Sequence, residues 1–446
     1  MSKPASQNFK FVDLFAGIGG FHHALEALGG ECVLASDLDA MCRKVYKATW
    51  PNHADDALIG DVRTLTQKED GSDRSLEEIS KLVPDHDVLC GGFPCQPFSK
   101  SGMQKGFLDK TRGTLFFDIM EIAKAKKPRY IILENVRNLA GPRHADTFRT
   151  IIETMRECGY RVATDPVIFS PHLLAPDLGG APQHRERVFL LAEYVGADFA
   201  DKTLDLGIRN EPTEGWSPSN WKVEDFLQPD KEIANISKYK LNVEDEAALN
   251  AWNAFIQGIS DDALPGYPIW VDAFTETPIY PDGAPDWKKD FIKKNSDFYK
   301  KHKSFIDSWL QKSWIEGRDF KVRDFTASRR KFEWQARSAQ PKAKNRNLWK
   351  LAIQFRPSGV RVKALTYLPT LVAITQTSLI GPKRRFLTPV EAGRIQGFPD
   401  TVFPNAKVDD KHAYKQAGNA VHVGVVKHMA KTLFEATSAP WATTNA

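Results

Sequence analysis

Three short stretches of this chain carry side chains able to make bonds or move protons. GGFPCQPFSKSG, residues 91–102, places Cys95 just after an apolar run, between Pro94 and a glutamine. The proline restrains the backbone before the thiol and leaves Cys95 on a loop beyond a strand end, where open α/β sheets bring their ligands. Two uses are open to such a sulfur. It can be an inert packing group, which suits Cys90 on the preceding run, or a thiolate that attacks an electrophilic carbon, which suits Cys95. IILENV, residues 131–136, puts Glu134 at the end of another apolar run. That carboxyl either caps the next turn or supplies a proton beside the nucleophile, since parallel strands deliver their ends to one edge. QHRER, residues 183–187, sets Arg185 and Arg187 on one face of a strand entering FLLAE. Surface ion pairing is one outcome; holding an anion or a carbonyl oxygen is the other.

A fourth stretch, VDLFAGIGGF at residues 12–21, is an apolar run followed by a glycine-rich turn that opens a helix. Gly17, Gly19 and Gly20 let the backbone bend sharply and approach a ligand at free helix N–H groups, although any tight strand-to-helix turn needs glycine too. Asp37 closes the next run about 20 residues on, where a carboxylate can take ribose hydroxyls. GDV, residues 60–62, adds Asp61 after a further apolar segment.

The elements that must position these groups follow from periodicity. FKFVDLFAG, ECVLASD, HDVLCGG, RYIILEN and RVFLLAE read as buried strands, without clean alternation, as in a parallel sheet covered on both faces. FHHALEAL, DAMCRKVYKA, LFFDIMEIAKA and HADTFRTIIETMREC between them read as amphipathic helices. Repeated βα units predict a doubly wound α/β domain over the first 200 residues. From about 205 to 385 the pattern breaks. Only Ala284 to Leu310 is periodic there, with Trp287, Phe291, Phe298, Phe305 and Trp309 on one core stripe. Helical patterns return at LTPVEAGRIQGFPD and YKQAGNAVHVGVVKHMAKTLF.

At 446 residues, 42% hydrophobic and 26% charged, the chain predicts two domains with ample core. No run is long enough for a membrane span and the start lacks a secretory signal, so a cytosolic protein is expected. Cysteines 32, 42, 90, 95 and 158 show no metal-ligand spacing, and their odd number argues against a disulfide framework. The net charge of +5 hides a block from Lys288 to Lys350 with 19 Lys or Arg against 7 Asp or Glu. That block is either a solvated face or a polyanion-binding surface.

Taken in order, FVDLFAGIGGF, the acid after the second strand, GD, GGFPCQPFS, ENV, QHRER, RIQGFPD and QAGNAV resemble the DNA (cytosine-5)-methyltransferases of bacterial restriction-modification systems. The resemblance covers residues 8–200 and 386–433. It implies the doubly wound, mostly parallel sheet of S-adenosylmethionine-dependent methyltransferases with a second, smaller target-recognition domain. The expected division is 1–200 for catalysis and cofactor, 201–409 for target recognition, and 410–446 returning to the first domain. The implied activity is methyl transfer from S-adenosyl-L-methionine to carbon 5 of a flipped-out cytosine in duplex DNA, through a Cys95 adduct at carbon 6. Glu134 then protonates ring nitrogen 3, the Pro94 carbonyl reads the exocyclic amine, and Arg185 holds the base carbonyl oxygen and orients Glu134. Arg187 and Asn135 brace the pocket.

For the cofactor, the resemblance points to Phe15, Gly17, Ile18 and Gly20, to Asp37 and Leu38 at the ribose, to Asp61 and Val62 beside adenine, and to Leu115 and Asn419 near the sulfonium. The family commonly has glutamate at the ribose position, so Asp39 stands as an alternative to Asp37. SKSGMQKGFLDKTRG resembles the family's catalytic loop, with Ser99, Lys105 and Arg112 meeting phosphate. In the recognition slot, Arg329, Arg330 and Lys331 are candidates for DNA phosphates. A monomer is expected, and many relatives have a separately acting restriction endonuclease.

Overall fold

The structure is a computed structural model that describes residues 8–94, 115–163, 165–260, 264–371 and 377–440. The chain folds into two units, Met1–Trp221 with Ala392–Ala446, and Lys222–Glu391. These limits replace the expected 200 and 410, because both flanking segments pack into the first unit. Thr213 N–H donates to the Leu173 carbonyl at 2.9 Å, and the indoles of Trp216 and Trp221 both donate to the His172 carbonyl. On the other flank, Gln396 Nε2 donates to the Ala417 carbonyl at 2.7 Å. No helix among the described residues is long and apolar enough to cross a membrane.

In the first unit, β1 (Phe9–Leu14), β2 (Gly30–Ser36), β3 (Leu58–Ile59), β4 (Val88–Gly92) and β5 (Tyr130–Val136) run parallel in the order β3-β2-β1-β4-β5. The order reverses between β1 and β4, which opens a crevice at their carboxyl ends. β6 (Tyr160–Val162), β7 (Val167–Phe169) and the two-residue β8 (Gln183–His184) precede β9 (Arg187–Tyr194), which pairs antiparallel with β5, β6 and β7. The VFLLA stretch of this strand is therefore apolar because both its faces are covered, not because its neighbours are parallel. Val12, Leu14, Leu89, Ile131 and Leu133 face the helices Leu115–Lys126 and Ala145–Glu157. Phe11, Val88, Cys90 and Ile132 share the opposite core with α1 (Gly20–Glu26) and the helix Val423–Ala436. That last helix buries Val425, Val426, Met429, Leu433 and Phe434, each contributing about 1.5–3 kcal/mol, which fastens the end of the chain to the sheet.

The second unit is built on a six-stranded sheet. Its order is β10 (Ile269–Trp270), β11 (Lys331–Trp334), β13 (Gly359–Lys363), β12 (Ala352–Arg356), then Leu379–Ile380 and Arg385–Phe386. Phe332, Trp334, Ile353, Phe355, Val360 and Val362 turn inward onto Trp252 and Phe255 of the helix Val243–Gly258. The predicted single stripe from 284 to 310 is two helices, Asp286–Lys301 and Lys303–Gln311, separated at His302. Phe298, Phe305 and Trp309 from both helices still share one core, and the stripe fails instead at its N-terminal end. Phe298 and Trp309 are buried, whereas Trp287 is 60% exposed.

Candidate active site

Glu134 is the register partner of Gly92 across β4 and β5, so the ENV segment and the Phe93–Pro94 stretch leave the sheet side by side. Pro94 is exposed; Cys95, Ser99, Lys105 and Arg112 lie outside the described residues. Asn135 is buried and joins the two segments. Its Nδ2 donates to the Phe93 carbonyl at 2.9 Å, and its Oδ1 accepts from Val136 N–H at 2.8 Å.

The Glu134 side chain is 12% exposed, and Arg187 Nε lies 2.9 Å from its Oε1. Burial raises the Glu134 carboxyl above the ordinary carboxylate range, while the Arg187 and Arg185 charges oppose that rise. The result is a carboxyl that holds a proton more readily than an exposed one yet faces a fixed cation. The same guanidinium donates from Nη1 to the Glu186 carbonyl at 2.8 Å.

The arginine that contacts Glu134 is not the expected one. Arg187, not Arg185, makes the hydrogen-bonded pair with Glu134, and the two do not lie on one strand, since Arg185 falls between β8 and β9. Arg185 is 2% exposed, and its Nη2 donates to the carbonyls of Gly418 and Ala420 at 3.1 and 2.8 Å. Burial, then the neighbouring Arg187, pushes its guanidinium down to about 9. Arg187 is the first residue of β9 and reaches the carboxyl of the paired strand, whereas Arg185 lies outside the strands two residues earlier, and residue spacing alone does not carry that difference.

At the other side of the crevice, Phe15, Gly17 and Gly19 all have positive φ, 58°, 58° and 85°. For phenylalanine this is a strained backbone, of the sort that persists where function or packing demands it. A Cβ on Gly17 would meet nothing within 4 Å, so the turn opens onto free space. Asp37 Oδ2 accepts from Gly17 N–H, and its Oδ1 accepts from Asp39 N–H, both at 2.8 Å. Asp39 is already committed, with Oδ1 capping α2 (Ala40–Thr49) at Met41 N–H and Oδ2 3.0 Å from Lys415 Nζ. Of the two acids, Asp37 therefore faces the turn. Leu38 beside it is 73% exposed.

Val62 and Ile18 are buried, and Leu115 is half-buried. Asp61 is gripped by Arg63, whose Nε lies 3.1 Å from both carboxylate oxygens, and this holds the acid below its usual range. Gly20 touches the C-terminal segment so closely that a Cβ would stand 2.6 Å from Val421 Cγ1 and 2.8 Å from its carbonyl oxygen. Asn419, two residues earlier, is exposed. An open glycine turn, acids after β2 and β3, an exposed apolar side chain and an exposed amide fit an adenosine-bearing sulfonium. Sequence reasoning missed Arg43, whose Nη1 donates to the carbonyls of Asp37 and Leu38 at 2.7 and 3.0 Å, and Gln396. Arg43 has no motif signal beyond its own polarity, whereas Gln396 lies within the RIQGFPD stretch, which by itself assigns it no role.

In the second unit, two of the three candidate phosphate ligands are engaged within the fold. Arg329 Nε lies 2.6 Å from Asp245 with its side chain 14% exposed, and its guanidinium stacks 3.5 Å over the Phe355 ring. Arg330 pairs with Asp272 at 2.7 Å and donates to the Phe325 carbonyl. Lys331 begins β11, 5.8 Å from the Trp270 ring centroid. Strand register places other cations with it. Glu333, Arg361 and Gln354 form one row across β11, β13 and β12, and Lys331, Lys363 and Arg356 share that outer face by alternation. Glu333 pairs with Arg361 at 2.8 Å. Burial, followed by neighbouring cations, holds Arg356 and Lys363 below their usual values. The Gln354 Oε1 is buried with no hydrogen-bond partner.

Residues 9–435 match the family described as C-5 cytosine-specific DNA methylase. The Type II methyltransferase M.AluI of Cellulosimicrobium cellulans is 36% identical over 505 residues, covering 96% of this chain and 92% of that protein. M.HhaI of Haemophilus parahaemolyticus, also a Type II methyltransferase, is 37% identical over 227 residues, 51% of this chain and 59% of that one. Among solved structures, a mutant of Spodoptera frugiperda DNMT2 superposes with a TM-score of 0.50 and 18% identity, covering 96% of this chain and 99% of the other. At that identity the likeness is one of fold.

Proposed function

This chain belongs to the C-5 cytosine-specific DNA methylase family and is a DNA cytosine methyltransferase that uses S-adenosylmethionine; from that premise we propose that it attacks a flipped-out cytosine in duplex DNA through Cys95. The observation that carries the reading is the buried Glu134–Arg187 pair, whose Glu134 lies on the strand that pairs with the end of β4 just before Phe93 and Pro94. Carbon 5 of cytosine is a weak nucleophile. The Cys95 thiolate adds to carbon 6, and the ring's electron pair moves toward nitrogen 3, where the Glu134 carboxyl donates its proton. Arg187 Nε orients that carboxyl and its Nη2 turns to the base carbonyl oxygen. The Pro94 carbonyl accepts from the exocyclic amine, with Asn135 holding its segment in place. When bound between Phe15, Gly17, Ile18, Gly20, Asp37, Leu38, Asp61, Val62, Leu115 and Asn419, S-adenosylmethionine supplies the methyl group that carbon 5 takes up. A base or water then removes the carbon 5 proton, and the thiolate leaves.

None of these atoms is reachable in a stacked duplex, so the base must turn out at a cost of a few kcal/mol. Ser99, Lys105 and Arg112 are the candidates from the sequence to meet phosphate. The second unit binds the surrounding duplex with Lys331, Arg356 and Lys363. The Type II name of M.AluI supports a modification role, partnered by a separately acting endonuclease. Duplex DNA carrying 5-fluorocytosine tests the central step, because fluorine at carbon 5 cannot be removed as a proton. Wild-type enzyme should form a complex that survives denaturation, and Cys95→Ser should not. A serine variant with near-full turnover would end the covalent reading.

A further inference from the structure

We infer that Arg185 is a positioning residue that sets the cofactor-binding end of the chain against the base pocket, so that the methyl donor meets carbon 5. The inference rests on the proposed roles of Asn419 and Glu134. Arg185 Nη2 holds the Gly418 and Ala420 carbonyls, which flank Asn419. Gln396 holds the carbonyl just before them, that of Ala417, at 2.7 Å. Together they satisfy carbonyls that the helix Asp410–Asn419 leaves without partners at its C-terminus.

The arginine end of this clamp is equally fixed. Arg185 N–H donates to Ser170 Oγ at 2.9 Å, and Ser170 Oγ bonds His172 Nδ1 at 2.9 Å. Two residues on, Arg187 bonds Glu134. One short piece of chain thus carries the partner of the proposed acid and the partner of the segment bearing Asn419. A shift of the clamp would move Asn419 relative to Glu134.

A second buried arginine shows what a cap without this duty looks like. Arg346, 2% exposed, donates from Nη1 to the Ile256 and Ile259 carbonyls at 3.0 and 2.8 Å. It closes the end of the helix Val243–Gly258 in the other unit.

The discriminating readout is how the cysteine adduct partitions. Once the thiolate has added at carbon 6, carbon 5 can take either the methyl group or a solvent proton. In the second case loss of the original hydrogen and departure of the thiolate return cytosine with its carbon 5 hydrogen exchanged. Duplex DNA tritiated at carbon 5 and methyl-labelled S-adenosylmethionine measure both fates in the full-length enzyme, with wild-type turnover first establishing that both are detectable. Arg185→Lys should raise the ratio of exchange to methylation about tenfold or more. Ser170→Ala, which frees the Arg185 main chain at the cost in stability of a buried N–H left unpaired, should move it the same way by less. Arg346→Lys should lower the melting temperature and leave the ratio unchanged. If exchange and methylation fall together in Arg185→Lys, or if neither the Arg185 nor the Ser170 variant changes the ratio, Arg185 is only a helix cap and the inference fails. If wild-type enzyme methylates with no adduct trapped by 5-fluorocytosine, it is the covalent reading of the site that fails.

Discussion

Replacing Arg187 by glutamine separates the electrostatics of the proposed base pocket from its shape. Arg187 Nε is 2.9 Å from Glu134 Oε1, with the two side chains 18% and 12% exposed. Unit charges about 4 Å apart attract by about 4 kcal/mol at an effective dielectric of ~20. Removing one member of a buried pair costs ~3–5 kcal/mol when the other stays charged. The variant avoids most of that cost by keeping Glu134 protonated, so it should fold with a loss of about 1–2 kcal/mol. The sign of its pH dependence follows. The Glu134 carboxyl is already raised by burial, and removing the cation that opposes the rise lifts it further. Above the ordinary carboxylate range the unfolded chain has lost this proton while the folded chain keeps it. Stability then falls as pH rises, until the folded carboxyl also ionises.

The same shift should appear in catalysis. If protonated Glu134 donates to nitrogen 3, kcat/KM declines on the alkaline side as Glu134 ionises in the free enzyme. In Arg187→Gln that decline should begin at higher pH, while the plateau drops about 10²–10³-fold through the missing donor to the base carbonyl. Tritiated-methyl transfer to duplex DNA across a pH series, with thermal unfolding in the same buffers, measures both. An alkaline limb that stays in place, or moves to lower pH, refutes the assignment of Arg187 as the cation that governs Glu134.

Neutralising Arg356 and Lys363 together to glutamine should reduce the slope of log affinity against log salt by about two units, roughly one for each phosphate left without its cation. An unchanged slope would remove this sheet face from the DNA surface. Arg329→Gln should instead destabilise the second unit by about 2–3 kcal/mol through the uncompensated Asp245 and the weaker stacking on Phe355, which a melting curve of the full chain reads. Gly20→Ala should cost about 1–3 kcal/mol, because its Cβ lands on Val421 side chain and backbone. It should also weaken S-adenosylmethionine binding in calorimetry; unchanged affinity would separate the GNAV segment from the cofactor pocket.

The strands and the glycine turn are legible in the sequence because burial on both sheet faces and sharp backbone turns leave local marks. The run VLCGG is apolar for the same reason that Leu89 and Cys90 are fully buried, and the glycines at 17 and 19 are where φ is positive. Partner choice leaves no such mark. Arg329 and Arg330 stand in a basic block, yet their carboxylates come from Asp245 and Asp272, far away in sequence. Basic composition alone does not distinguish these paired arginines from Arg356 and Lys363, which the strand register of β12 and β13 places on one outer face.

The same limit explains why the sequence does not show that Arg187 rather than Arg185 partners Glu134, and it bears on how the site is built. A lone buried guanidinium is costly to desolvate, and two close together are costlier. Each must therefore be met by acceptors of its own. Glu134 takes one and the helix-end carbonyls of Gly418 and Ala420 take the other. Because those carbonyls lie on the segment that returns after the second unit, the charge balance of the base pocket depends on the last part of the chain folding back. A variant that loosens the Asp410–Asn419 helix should then leave Arg185 without its acceptors and disturb Glu134 through Arg187, even with every side chain at the proposed reacting centre intact.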